Sequence, residues 1–100
     1  MVASVNKSYS GAAVPFKLAQ NYPNPFNPST VIRYIIPERS NMALSVYNTL
    51  GQLVTPLVNG EEGPGMRNVR FDATGLPSGV YLCRLQAGSF VKTIKMLVLR

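Results

Sequence analysis

The sequence has no histidine, no tryptophan and a single cysteine among its 100 residues. Without histidine it lacks the commonest general base and metal ligand, and it cannot form a Ser–His or Cys–His nucleophile. Since Cys83 is alone, no internal disulfide can form, and its place in an apolar run predicts a small buried side chain. These absences argue against an enzyme.

Acidic residues are also scarce, because Glu38, Glu61, Glu62 and Asp72 are the only four in the chain. Glu61 and Glu62 are neighbours in a predicted loop, so their carboxylates should diverge and should not act as an acid/base pair. A calcium site built on them would lack the required cluster of oxygen ligands. We therefore expect no catalytic residues, no cofactor and no metal.

Long apolar runs are missing as well, so we expect no membrane-spanning segment. Met1 to Lys17 contains no apolar core of seven or more residues, which a signal peptide would need. Residues 1–17 are small and polar and predict a linker tail, whereas residues 18–100 have the length of one domain. If the natural protein is exported, we expect this chain to be its C-terminal piece, with Met1 as an added residue.

The charge balance is basic, with ten Lys and Arg against four acids and a net charge of +6. Such a surface attracts anionic partners, although it also serves simple solubility, and the composition leaves both open. Lys92 and Lys95 are three positions apart, so they fall on opposite faces of a regular strand. The aromatic residues lie mostly at predicted core positions. Without a basic stripe beside exposed rings, we expect no nucleic-acid partner.

The segment Leu18–Thr30, here called the entry strap, is the most distinctive part of the chain. Each proline fixes its own φ, lacks an N–H and favours extended geometry in the preceding residue. The strap is therefore rigid, but it can be neither a helix nor a central strand. We expect Tyr22 and Phe26 to anchor it on the core. Its motif residues are Tyr22, Pro23, Asn24, Pro25, Phe26, Asn27 and Pro28.

From Thr30 onward, short apolar runs alternate with turn residues at intervals of about ten, which predicts an all-β fold. We expect an immunoglobulin-like or fibronectin-like antiparallel β-sandwich of six or seven strands. The predicted strands cover residues 31–36, 42–47, 52–57, 66–71, 80–85 and 90–99. In the first, Ile32, Tyr34 and Ile36 should face the core, and in the second Met42, Leu44 and Val46 should share one face. Residues 59–65 are predicted to be a glycine-rich loop.

Turn chemistry supports this assignment. Asn48 and Gly51 suit a type I turn followed by a left-handed residue, and Gly88 lies in the turn between the last two strands. Gly79 and Tyr81 have the spacing of a tyrosine corner, in which the hydroxyl bonds back to nearby backbone. The simplest interpretation of these residues is structural. Without a second cysteine or a tryptophan, an antibody-type domain is excluded.

The last residues, Met96 to Arg100, are apolar on both faces of the predicted strand apart from the final arginine. One explanation is a central strand that is covered on both faces. The other is an edge strand that offers backbone and apolar side chains to a receptor by strand addition. The sequence leaves these two explanations open, and it leaves open self-association through an edge.

Four blocks carry a resemblance to a known family. They are LAQNYPNPFNPST (18–30), VYNTLGQLV (46–54), LPSGVYLCRLQAG (76–88) and FVKTIKMLVL (90–99). In this order they resemble the type A C-terminal sorting domain of cargo proteins of the type IX secretion system. Two departures are small: Cys83 stands where an aromatic is frequent, and Phe71 replaces a usual tryptophan.

The resemblance implies that a cargo protein precedes this domain and crosses the inner membrane by its own N-terminal signal. The domain would fold in the periplasm, be recognised by the outer-membrane translocon and be removed by a cell-surface sortase. Cleavage would fall within Asn6 to Lys17. The cargo would reach the outer-membrane surface or the medium. By the same resemblance, the recognition residues would be Lys92, Lys95, Met96, Leu97, Val98, Leu99 and Arg100.

Two other functions remain as alternatives. The strap and the Asn48 turn also resemble the immunoglobulin-like domain of flagellar hook-capping proteins, a structural or interaction module. A carbohydrate-binding or adhesive sandwich is the other alternative, and it predicts exposed aromatic rings in a row.

Overall fold

The computed structural model describes residues 15–100, which contain seven β-strands and no helix. The strands are β1 (Lys17–Leu18), β2 (Ser29–Ile36), β3 (Ser40–Tyr47), β4 (Leu53–Glu62), β5 (Gly65–Asp72), β6 (Gly79–Ala87) and β7 (Phe90–Val98). They form two antiparallel sheets, with the orders β1-β2-β5 and β4-β3-β6-β7. The predicted all-β sandwich is confirmed. In the described part of the chain, no helix could cross a membrane.

The core lies between the sheets and follows from the strand alternation. Successive side chains of a strand point to opposite faces, so every second residue is available for burial. The inward sets predicted for β2 and β3 are confirmed, and β6 and β7 continue the same core. The buried hydrophobic residues of these four strands are Ile32, Tyr34, Ile36, Met42, Leu44, Val46, Tyr81, Cys83, Leu85, Ala87, Ile94, Met96 and Val98.

The predicted loop at residues 59–65 is wrong. β4 continues to Glu62, β5 begins at Gly65, and two residues join them. Residues Asn59 to Glu62 pair with Ser40 to Ala43 of β3, and this pairing outweighs the weak strand propensity of Asn and Gly. Gly60 takes a φ of +142°, which favours glycine in a strand.

The entry strap anchors differently from the prediction. Phe26 is buried and packs edge-on against Phe71, with ring centroids 5.9 Å apart. Tyr22 is 82% exposed, so its expected anchoring role is wrong. Its backbone forms an isolated bridge with Val31, and the neighbouring Asn21 is the residue that turns inward.

Buried polar groups hold the start of the strap. The Asn21 side-chain amide donates to Thr30 Oγ1 at 3.0 Å and to the Pro23 carbonyl at 3.1 Å. Thr30 Oγ1 in turn donates to the same Pro23 carbonyl at 2.7 Å. Buried polar groups destabilise a fold unless they are hydrogen-bonded, so this network favours one conformation of the strap. The peptide bonds before Pro23, Pro25 and Pro28 are cis.

We expect Phe26→Ala to lower the free energy of unfolding by about 3–5 kcal/mol, because it removes a buried ring and leaves a cavity. Tyr22→Ala is the matched control, since its exposed ring should change stability by no more than about 0.5 kcal/mol. Urea unfolding followed by circular dichroism measures both. Equal losses for the two variants would contradict the anchoring described here.

Burial also determines the chemistry of Cys83. Removal from water raises the pKa of its thiol to about 12, so the reactive thiolate is scarce at lower pH.

We expect a thiol-reactive dye to label the native protein slowly near neutral pH and to label it rapidly in urea. Fast labelling of the folded protein would contradict the buried position.

The C-terminal strand as candidate recognition site

β7 is an edge strand of the four-stranded sheet within residues 15–100. It pairs along its whole length with β6, from Ala87 opposite Phe90 to Gly79 opposite Val98. The turn between them contains Gly88, whose φ of +59° is in the left-handed region that favours glycine. Of the two positions that the sequence left open for the last strand, the edge position is therefore the observed one.

The entry strap closes the C-terminal half of this edge. Phe26, which lies outside the regular strands, forms an isolated parallel bridge with Val98 at the end of β7. Its backbone N–H donates to the Leu97 carbonyl at 3.0 Å, and its carbonyl accepts from the Leu99 N–H at 3.1 Å. Burial of the Phe26 ring thus holds its backbone within hydrogen-bonding distance of the Leu97 carbonyl and the Leu99 N–H, which lie along the strand edge.

Two side chains of the strap continue this contact towards the middle of β7. Asn24 Oδ1 accepts from the Leu97 N–H at 2.9 Å, and the Gln20 side-chain amide donates to the Lys95 carbonyl at 2.6 Å. An unpaired strand edge is a template for pairing with other chains. Between the Lys95 carbonyl and the Leu99 N–H, the strap replaces such a partner.

The structure divides the seven predicted recognition residues into groups. Met96 and Val98 are buried in the core, where no partner of the folded domain can touch their side chains. Leu97 is half-buried. The remaining four, Lys92, Lys95, Leu99 and Arg100, are exposed.

Arg100 is held within the domain although it is exposed. Its guanidinium donates from Nε to the Leu76 carbonyl at 2.7 Å and from Nη2 to the Ala73 carbonyl at 2.9 Å. Its backbone N–H donates to Ser78 Oγ at 3.0 Å. Arg100 therefore binds the loop between β5 and β6. These contacts give it a structural role that does not depend on a binding partner.

The predicted turn residues lie in turns. Asn48 Oδ1 accepts from the backbone N–H groups of Leu50 and Gln52, and Gly51 has a φ of +83°. Tyr81 Oη donates to the Pro77 carbonyl at 2.7 Å, which is the geometry of a tyrosine corner. This bond packs the start of β6 against the loop that Arg100 also contacts.

Sequence reasoning missed Gln20, Asn21 and Thr30 as residues that position the strap. The signal was present, because all three lie within the 18–30 block. No pattern within this block, however, indicates which of its polar side chains are buried or contact the last strand. Within residues 15–100, no group of three His, Cys, Asp or Glu side chains could hold a metal ion.

Comparison with known families identifies the family of this chain. The model of a secretion system C-terminal sorting domain matches residues 20–100. The chain belongs to this family. The resemblance to type IX secretion sorting domains is thereby confirmed, and the family is one of sorting signals and not of enzymes. A search of curated proteins found no match.

As a type IX secretion sorting signal, the domain directs export to the cell surface or release from the cell. The family match contains both partners of the strap–β7 contact, from Gln20 to Leu99. The strap of this sorting domain therefore supports its C-terminal strand directly.

We expect Asn24→Ala to accelerate hydrogen exchange of the Leu97 amide about fivefold, because it removes one acceptor worth about 1 kcal/mol. Asn27→Ala is the control, since this asparagine is exposed in the same strap and also precedes a proline. Exchange measured by NMR separates the two variants. An unchanged Leu97 rate in Asn24→Ala would show that the bond does not protect the edge.

Proposed function

We propose that the folded sorting domain is recognised by the outer-membrane translocon through its last block and is then removed by a cell-surface sortase. The attached cargo precedes the domain, passes through the periplasm and ends at the cell surface or in the medium. The match to the sorting-domain family over residues 20–100 is the observation that carries this proposal.

The position at which the described chain enters the domain, relative to β7, supports this proposal. Phe16 stacks on Phe90 at the start of β7, with ring centroids 5.2 Å apart, so the described chain enters beside the β6–β7 turn. β7 then runs nine residues away from that turn to Val98. At about 3.3 Å per residue, the eight steps from Phe90 to Val98 span about 26 Å. The described chain therefore enters at the Phe90 end of β7, and the C-terminal end of the proposed signal lies at the other end of this strand.

Removal by a sortase would require an accessible extended segment. The proposed window is Asn6 to Lys17. Phe16 packs on the domain and Lys17 pairs with Ile35, which favours a cut before Phe16. Residues 6–14 lie outside the described part of the chain. The boundary of the linker at residue 17 stays a prediction, although these two contacts begin before Leu18.

The other candidate functions gain no comparable support. A row of exposed rings was the expectation for a carbohydrate-binding sandwich. Among residues 15–100, Tyr22 is the exposed aromatic, whereas Tyr47, Phe16 and Phe90 are half-buried. The family match favours a sorting signal over a hook-capping module.

Fusing residues 1–100 to the C-terminus of a periplasm-exported fluorescent protein tests the proposal in a bacterium with type IX machinery. We expect fluorescence on the surface or in the medium in this strain and retention in the periplasm of a translocon-deficient strain. Deleting residues 92–100 should abolish export, because it removes the proposed signal. N-terminal sequencing of the released domain should place the cut within residues 6–17.

Export of the truncated fusion at the level of the intact one would refute the proposed signal. So would a folded, intact fusion that stays in the periplasm of both strains. A fusion that leaves the cell uncut would remove the sortase step while leaving recognition in place.

A further inference from the structure

The segment from Lys95 to Leu99 has three surfaces by which a partner could contact it, and two are closed. Its inward side chains, including Met96 and Val98, are buried between the sheets. Its backbone edge from the Lys95 carbonyl to the Leu99 N–H is hydrogen-bonded to the entry strap. The outward face of the same segment is open. Recognition of the folded domain at this segment must therefore use side chains on that face.

Strand register identifies the neighbours on this face. Lys95 lies opposite Leu82 of β6, and Leu97 lies opposite Val80. Directly opposed residues share a face, and their Cβ atoms are about 4.5–5.5 Å apart. We call Val80, Leu82, Arg84, Lys95 and Leu97 the outward hairpin face. Three of its members belong to β6, so the surface extends beyond the last block of the sequence.

The outward hairpin face combines an apolar strip with cations at its side. Val80 is 41% exposed, and Leu82 and Leu97 are half-buried beside it. The Arg84 guanidinium lies 4.6 Å from the centre of the Tyr47 ring and donates to Tyr47 Oη at 2.9 Å. This contact holds the Arg84 charge next to the strip, so less side-chain freedom is lost on binding.

The four acidic side chains of the sequence lie elsewhere. Glu61 and Glu62 are at the far end of β4 and form ion pairs with Arg39 and Arg67 at 3.3 and 3.0 Å. Glu38 precedes β3 at that same end, and Asp72 belongs to the other sheet. The outward hairpin face thus has two cations and no acid.

We infer that the outward hairpin face binds a protein surface whose carboxylates flank an apolar patch. This inference rests on the proposed function and names the chemistry by which the translocon would read the domain. Two cations are fewer than the four to eight clustered Lys and Arg typical of binding to anionic lipid. Half-buried and exposed aliphatic side chains beside a positioned Arg instead suit a protein interface.

The second sheet provides matched controls. Its outward face has Arg33 and Arg70, each hydrogen-bonded to a neighbouring side chain as Arg84 is. Val31 is 41% exposed there, the same fraction as Val80. None of these control residues is among the predicted recognition residues, which all lie between Lys92 and Arg100.

The experiment compares secretion of the reporter fusion for paired variants. Arg84→Glu with Lys95→Glu should reduce the secreted fraction at least about tenfold, because like charges at an interface repel. Arg33→Glu with Arg70→Glu makes the same change from +6 to +2, since two reversals subtract four charges, and should keep secretion within about twofold of the parent. Val80→Ser should reduce secretion and Val31→Ser should not.

Periplasmic abundance and circular dichroism of the purified domain verify folding. If the double charge reversal does not fold, the Val80→Ser and Val31→Ser pair decides the question. Normal secretion of the outward-face variants, or an equal loss in the controls, overturns the inference. If the unmodified fusion is itself retained in the translocon-containing strain, the proposed function fails, and the inference fails with it.

Co-sedimentation with phosphatidylglycerol-containing vesicles tests a lipid as the partner. We expect the unmodified domain to remain in the supernatant. Pelleting that is lost in Arg84→Glu with Lys95→Glu but kept in Arg33→Glu with Arg70→Glu would overturn the protein-partner assignment in favour of an anionic membrane.

Discussion

The contact between the entry strap and the edge of β7 is the constraint on which the arrangement of this domain depends. A sandwich whose last strand lies at an edge exposes backbone donors and acceptors, and such an edge pairs readily with other chains. Here the strap hydrogen-bonds to these donors and acceptors over the C-terminal half of the strand, through the backbone of Phe26 and the side chains of Gln20 and Asn24. Burial of the Phe26 ring keeps the strap in place. The last strand is therefore supported by the entry strap, which lies near the start of the described residues.

This contact explains the unusual composition of the strap. Prolines lack the N–H groups of a regular ladder, so a proline-rich segment cannot become a full additional strand. It can still supply single backbone groups and side-chain amides at chosen positions. The Asn21–Thr30–Pro23 network fixes its beginning, and the Pro28 carbonyl accepts from the Ala73 N–H near its end. The strap therefore protects the edge without extending the sheet.

The same geometry separates the functions of the C-terminal residues. Met96 and Val98 build the core, Leu97 and Leu99 join the strap through their backbone, and Arg100 fastens the β5–β6 loop. The last block therefore contains core and strap contacts as well as the proposed signal. Point variants on the outward face, compared with equal changes on the other sheet, separate recognition from these structural contacts.

The sequence by itself determined the all-β class, the inward sets of β2 and β3, the turn at Asn48 and the burial of Cys83, because strand alternation and turn chemistry are local properties. The four blocks also indicated the family. Only the tertiary structure decided that Asn21 and not Tyr22 turns inward, that β4 runs on to Glu62, and that β7 is an edge strand closed by the strap. These outcomes depend on pairing between distant segments, as in the bond from Gln20 to Lys95 across 75 positions. No local pattern encodes which segments meet, because partner choice follows from packing of the whole chain.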